Sequence, residues 1–135
     1  MTKITIHSDG AARGNPGPAA AGAVLTADDG TIVAEVSRYL GEMTNNQAEY
    51  RALILAVEEA LRQGASELCI YADSELMVRQ IKGEYRVKHE DLKPLFRDVM
   101  QALKRIGKFA IHHVPRERNK AADKLANLAL DAEGA

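Results

Sequence analysis

The stretch "IHSDGAARGNPGPAAAG", residues 6 to 22, decides how this chain is read. Lys3 to Ser8 alternates apolar and polar residues with the period of a strand, and the run ends on Asp9. Glycines, an arginine, an asparagine and two prolines follow, the residues that a tight loop selects. An apolar run then begins at Ala19. The expected unit is a strand ending at Asp9, a loop, and a second strand. Asp9-Gly10 alone is turn chemistry, so its meaning depends on where the other carboxylates fall.

Working outward, residues 19–27 and 31–40 read as strands joined by the hairpin signal "ADDG". "TNNQAEYRALILAVEEALRQG", residues 44–64, is the clearest helix. Thr44 and Gln47 have capping-box spacing, and Gly64 is a natural stop. "ELCIYA" is a short buried strand, "SELMVRQIKG" a short helix ended by Gly83, and "DLKPLFRDVMQALKRIG" a helix that tolerates Pro94 only in its first turn. "FAIHHV" is a last strand. "NKAADKLANLALDA" is a last helix, with Asn119 as its expected cap. The order β-β-β-α-β-α-α-β-α predicts an α/β domain, residues 1–135, with a mixed five-stranded sheet. Three strands form an antiparallel portion, two more run parallel, and helices cover both faces.

Composition sets bounds on function. The chain has 135 residues and a net charge of −1, so no global charge marks it for nucleic acid. The halves differ: residues 1–70 hold 5 Lys/Arg against 9 Asp/Glu, and residues 71–135 hold 13 against 10. Arg79, Lys82, Arg86 and Lys88 cluster, as do Arg116, Arg118, Lys120 and Lys124; either group could meet phosphates or be a solvated helix face. The single cysteine, Cys69, excludes an internal disulfide and a cysteine-only metal site. No apolar run is long enough to span a membrane, and "MTKITIH" has no apolar signal core. A cytoplasmic location is therefore the default expectation, and a monomer is the expected state.

Four acids fall at corresponding places. Asp9 ends a strand, Glu49 lies early in a helix, Asp73 follows a strand, and Asp123 lies near the start of the last helix. Strand ends and helix starts can converge at one edge of such a sheet. Each acid singly has an ordinary use, as a cap or a partner of a helix dipole. Together they would repel unless a cation or proton joins them, and hard oxygen donors suit Mg²⁺ or Mn²⁺.

"SDGAARGNPGPAAAG", "TNNQAEYRAL", "YADSELMVRQIKG" and "RNKAADKLANLA" follow one another in order and spacing, and they resemble the motifs of type 1 ribonuclease H from about Ile4 to Leu130. The resemblance implies a metal-dependent endonuclease that cuts the RNA strand of RNA–DNA hybrids with two Mg²⁺ ions, leaving 5′-phosphate and 3′-hydroxyl ends. By motif position the metal ligands would be Asp9, Glu49, Asp73 and Asp123. Asn15, Asn45 and Asn46 would read the ribose 2′-hydroxyl or a minor-groove edge.

The chain departs from many members of that family in two ways. Only "EYRVKHED" joins Gly83 to the next helix, which leaves no room for a basic insertion. Grip on the substrate would then come from Arg79, Lys82, Arg86, Lys88 and Tyr85. "VPRERNKAAD" is also short and carries no histidine, so Arg118, or Arg116 in its stead, is expected to serve as a fixed charge. His112 and His113 read as strand residues. A hybrid-binding module without catalysis, a DNA-strand-transfer domain, and tolerance of double-stranded RNA are the competing expectations. No obligate protein partner is expected.

Overall fold

The computed structural model describes residues 2–135. Five strands, β1 (Lys3–Ala12), β2 (Gly17–Thr26), β3 (Ile32–Met43), β4 (Glu67–Ala72) and β5 (Lys108–His113), form one sheet in the order β3-β2-β1-β4-β5. β1 pairs antiparallel with β2, and β2 with β3; β4 runs parallel to both β1 and β5. The helices are α1 (Asn45–Arg62), α2 (Glu75–Ile81), α3 (Lys93–Ile106) and α4 (Lys120–Ala132), with a single 3-10 turn at Arg116–Arg118. This is the mixed sheet that the element order predicts.

One face of the sheet carries the large side chains. Ile4, Ile6, Leu68 and Ile70 meet Leu53 and Val57 of α1, Val78 of α2 and Leu103 of α3. Each such side chain contributes about 1.5–3 kcal/mol on burial, so this layer dominates stability. Where α4 crosses the other face the side chains are small: Ala20 packs against Ala129 and Leu130 of α4. Small residues let α4 lie close to the strands.

Two glycines set how close the helices come. A Cβ on Gly10 would lie 2.2 Å from the Ala48 carbonyl and 2.4 Å from the Glu49 nitrogen. A Cβ on Gly22 would lie 2.0 Å from the Ala122 oxygen. Gly22 is the cross-strand partner of Asp9. So α1 and α4 press on opposite faces of the sheet within one residue of Asp9.

Local chemistry accounts for the ends of the elements. Thr44 and Gln47 complete the predicted capping box on α1. Ser74, not Asp73, caps α2 by accepting from the Met77 N–H. Two expectations are corrected. β1 does not end at Asp9 but continues to Ala12, because Gly10, Ala11 and Ala12 find ladder partners in Ala21, Ala20 and Ala19. The loop is therefore only residues 13–16. Asn119 stands before α4 but makes no side-chain cap; its amide instead donates to the Ser8 carbonyl at 2.8 Å.

Candidate active site

Asp9 projects from within β1, Glu49 from the start of α1, Asp73 from the residue after β4, and Asp123 from the first turn of α4. Carboxylate oxygens of Asp9, Glu49 and Asp73 all lie within 4.8 Å of one another. Asp123 joins them in lining a cleft of about 350 Å³, along with Asn45 and Arg116. The site is anchored by the backbone: the Gly10 N–H donates to Glu49 Oε1 at 2.7 Å. Asn119 ties the start of α4 to β1 beside Asp9.

The electrostatics are those of crowded anions. Asp9 and Glu49 are each only 5% exposed. Burial, then the neighbouring charge of Asp73 and the hydrogen bond and charge of Asp123, push Asp9 up to about 9. Glu49 is raised well above the usual carboxylate range, first by burial and then by Asp9 and Asp73; the Gly10 N–H opposes this. Asp73 Oδ1 is buried and has no hydrogen-bond partner. A donor set of hard oxygens, held close together with one lone acceptor buried, fits a divalent cation. Asp9, Glu49 and Asp73 could hold one ion among them, and Asp123 stands beside that group.

The remaining predicted residues divide by position. Asn45 lines the acid cleft, whereas Asn15 and Asn46 line a neighbouring hollow that also contains His89. Asn15 and Asn45 are linked, since Asn15 Oδ1 accepts the Asn45 N–H at 3.0 Å. Of the two arginines, Arg116 faces the acids, with its Nη2 3.7 Å from Asp123 Oδ1. Arg118, the residue favoured from sequence, is not among those that line the cleft. Sequence adjacency to α4 could not show which of the two arginines stands at the acids.

Lys82 and Lys88 are exposed and lie outside the acid cleft. Arg79 is already committed: it pairs with Glu75 and Glu84, both at 3.1 Å, and stacks on Tyr85. Sequence reading missed Lys93 and Arg97, which share a hollow with Tyr85 and Arg86. Their i,i+4 spacing on one helix was the available signal. His112 stacks on Tyr71, which stacks on His7, so it reads as a strand residue in an aromatic row.

Residues 7–129 match the family described as reverse transcriptase-like. The chain is 44% identical over 129 residues to ribonuclease HI of Halobacterium salinarum, covering 96% of this chain and 65% of that protein. The solved RNase H1 from that archaeon matches with a TM-score of 0.93, over 96% of this chain and 98% of the other. This chain belongs to the type 1 ribonuclease H family.

Other matches extend this ribonuclease H assignment. The bifunctional protein Rv2228c of Mycobacterium tuberculosis is 45% identical over 131 residues, or 96% of this chain and 36% of that protein. This ribonuclease H chain thus spans between about a third and two thirds of the length of these two curated relatives. The LC11 RNase H1 solved in complex with an RNA/DNA hybrid is 43% identical, with a TM-score of 0.92, over 98% of this chain and 99% of that one. Among the described residues no helix is long and apolar enough to cross a membrane.

Proposed function

We propose that this ribonuclease H domain, residues 1–135, hydrolyses the RNA strand of RNA–DNA hybrids with two divalent cations, Mg²⁺ or Mn²⁺, giving 5′-phosphate and 3′-hydroxyl ends. The observation that carries this reading is the meeting of Asp9, Glu49 and Asp73 oxygens within 4.8 Å, under a cleft also lined by Asp123 and Asn45. The hybrid bound by the LC11 relative supports the substrate class.

When bound, the ions supply Lewis acidity to the attacking and leaving oxygens of an in-line displacement. The protein's part is to hold four carboxylates in register. The Gly10 N–H fixes Glu49, and close helix packing at Gly10 and Gly22 fixes the distances between elements. No nucleophilic side chain is required. Arg116 offers a fixed charge to the phosphate being cut. Asn15, Asn45 and Asn46 donate to, and accept from, the ribose 2′-hydroxyls of the cut strand. Lys82 and Lys88 meet phosphates of the uncut strand. The protein works as a monomer in the cytoplasm.

The test is a set of matched RNA–DNA, RNA–RNA and DNA–DNA duplexes, each with Mg²⁺, Mn²⁺ or chelator. Cleavage of the hybrid only with a metal ion supports the proposal. Tight hybrid binding without cleavage would make the domain a binding module, and cutting of DNA–DNA would make it a different nuclease. Cutting of RNA–RNA would add a second substrate.

A further inference from the structure

The loop at residues 13–16 is exposed, yet it is strapped at both ends. At one end Arg13 Nη2 donates to Asp131 Oδ1 at 2.7 Å and to Asn127 Oδ1 at 3.1 Å; Nη1 donates to the Ala135 carbonyl. Asn127 and Asp131 belong to α4, which is pressed onto β2 at Gly22. At the other end Asn15 Oδ1 accepts the Asn45 N–H, at the start of α1. The loop therefore bridges the helices that carry Asp123 and Glu49 from opposite faces of the sheet. Its backbone has one closing bond of its own, from the Arg13 N–H to the Pro18 carbonyl at 2.8 Å.

We infer that Arg13 is a positioning residue: its guanidinium clamp on α4 holds the loop so that Asn15 stands ready at the ribose of the cut strand. The inference rests on the reading of Asn15 given above. An exposed ion pair contributes little to global stability, so a conserved melting temperature is expected when the clamp is cut. Its effect lies in order. A reader on an unclamped loop must be ordered on binding, which weakens substrate binding without touching the acids. Asp131 is the more exposed partner and can be removed without disturbing the loop's own sequence.

The test compares Arg13→Ala, Arg13→Lys and Asp131→Ala with wild type and with Asn15→Ala. The first readout is hydrogen exchange at the Asn45 amide in the free protein, which needs no substrate. The second is the ratio of kcat/KM on a normal hybrid to that on a hybrid with one 2′-deoxy residue beside the cut. Arg13→Ala and Asp131→Ala should speed exchange at Asn45 by about 10-fold, and Arg13→Lys by less. KM should rise with kcat within about 2-fold, and the 2′-hydroxyl selectivity should fall by about 3-fold, toward that of Asn15→Ala. Unchanged exchange at Asn45 overturns the clamp. Faster exchange with undiminished selectivity overturns its role in reading. A wild type that does not distinguish the two hybrids overturns the reader assignment and the inference with it, while the exchange data still report whether the clamp holds the loop.

Discussion

Asp9 and Glu49 are buried where β1 and α1 meet, with Asp73 and Asp123 beside them. Lys82 to Lys88, in the segment that follows α2, is exposed at every position but Val87. The acids are held by backbone contacts: a Gly10 N–H, and glycines where a methyl group would collide with α1 or α4. Among the described residues, the side chains of Lys82 and Lys88 make no hydrogen bond or ion pair. Burial makes the first region costly in charge and exact in distance. Exposure makes the second weak per residue and tunable by salt. Chemistry at a fixed separation needs the first arrangement, while a polyanion of variable sequence can be met by the second.

The sharpest way to break this contrast is Asp73→Asn. Asp73 is a source of the repulsion on Asp9, so its loss should leave the metal-free fold as stable or more so. Hybrid cleavage should fall at least about 10³-fold, roughly 4 kcal/mol in the barrier. A thermal melt and single-turnover cleavage, run together, check it. Near-normal cleavage by the folded variant would remove Asp73 from the mechanism.

Gly22→Ala should behave in the opposite way, losing fold and activity together. Its Cβ would collide with the Ala122 oxygen of α4, and overpacking of this kind costs about 1–3 kcal/mol or more. Denaturant titration should show that loss. Because the same helix carries Asp123, whatever folded protein remains should also cut slowly. A stable, fully active Gly22→Ala would mean that the acids depend less on helix packing than the structure indicates.

These two residues also show how much was legible. The strand and helix order, the capping box at Thr44 and the acid positions could be read, because each rests on local periodicity or on residues at element ends. Gly22 gave no such signal, since a glycine in an alanine-rich strand looks like weakness until α4 lies across it. The end of β1 was misread for a related reason: Asp9-Gly10-Ala11-Ala12 has poor strand propensity, but the ladder to β2 overrides it. Arg118 is favoured on paper by its nearness in sequence to α4, yet it is Arg116 that stands 3.7 Å from Asp123, a contact between elements that local sequence does not encode.

Burial, with the repulsion between the acids added to it, predicts how stability depends on pH in the metal-free protein. Asp9 is raised from the ordinary 3.8 to about 9, so the folded state holds a proton that the unfolded chain releases. Stability should therefore fall as pH rises from about 4 toward 9, and Glu49, shifted the same way, should steepen the fall. Mg²⁺ should raise the melting temperature more at pH 8 than at pH 5. Asp9→Asn should flatten the metal-free profile. Melting curves at several pH values, with Mg²⁺ or chelator, test this. A profile that rises over this range would show that the acids are not held against their charge.

Arg116→Ala should cost about 10-fold in kcat, near 1.4 kcal/mol, with Arg116→Lys retaining part of the rate. Arg118→Ala should stay near wild type. The kcat–pH profile should show no inflection near 6.5 from a loop histidine. Wild-type rates in both alanine variants would show that the acids and their metal ions act without a fixed cation.

The smallest effect belongs to the exposed region, and it should appear in binding rather than in the chemical step. Each phosphate neutralised contributes about 0.7–0.9 to the slope of log affinity against log salt. Changing Lys82 and Lys88 together to alanine should lower that slope by roughly 1–2 and raise KM more than it lowers kcat, since these charges bind ground and transition states alike. Arg79→Ala supplies the contrast within the same region. Its guanidinium is held by Glu75 and Glu84 and lies over Tyr85, so it has less charge to offer a phosphate. Its removal should change the slope less than either lysine does. If Arg79→Ala flattens the slope as much as the lysine pair, the two carboxylates must release it when the duplex arrives. If neither change alters the slope, the uncut strand is held elsewhere, and Lys93 and Arg97 beside Tyr85 become the cations to remove next.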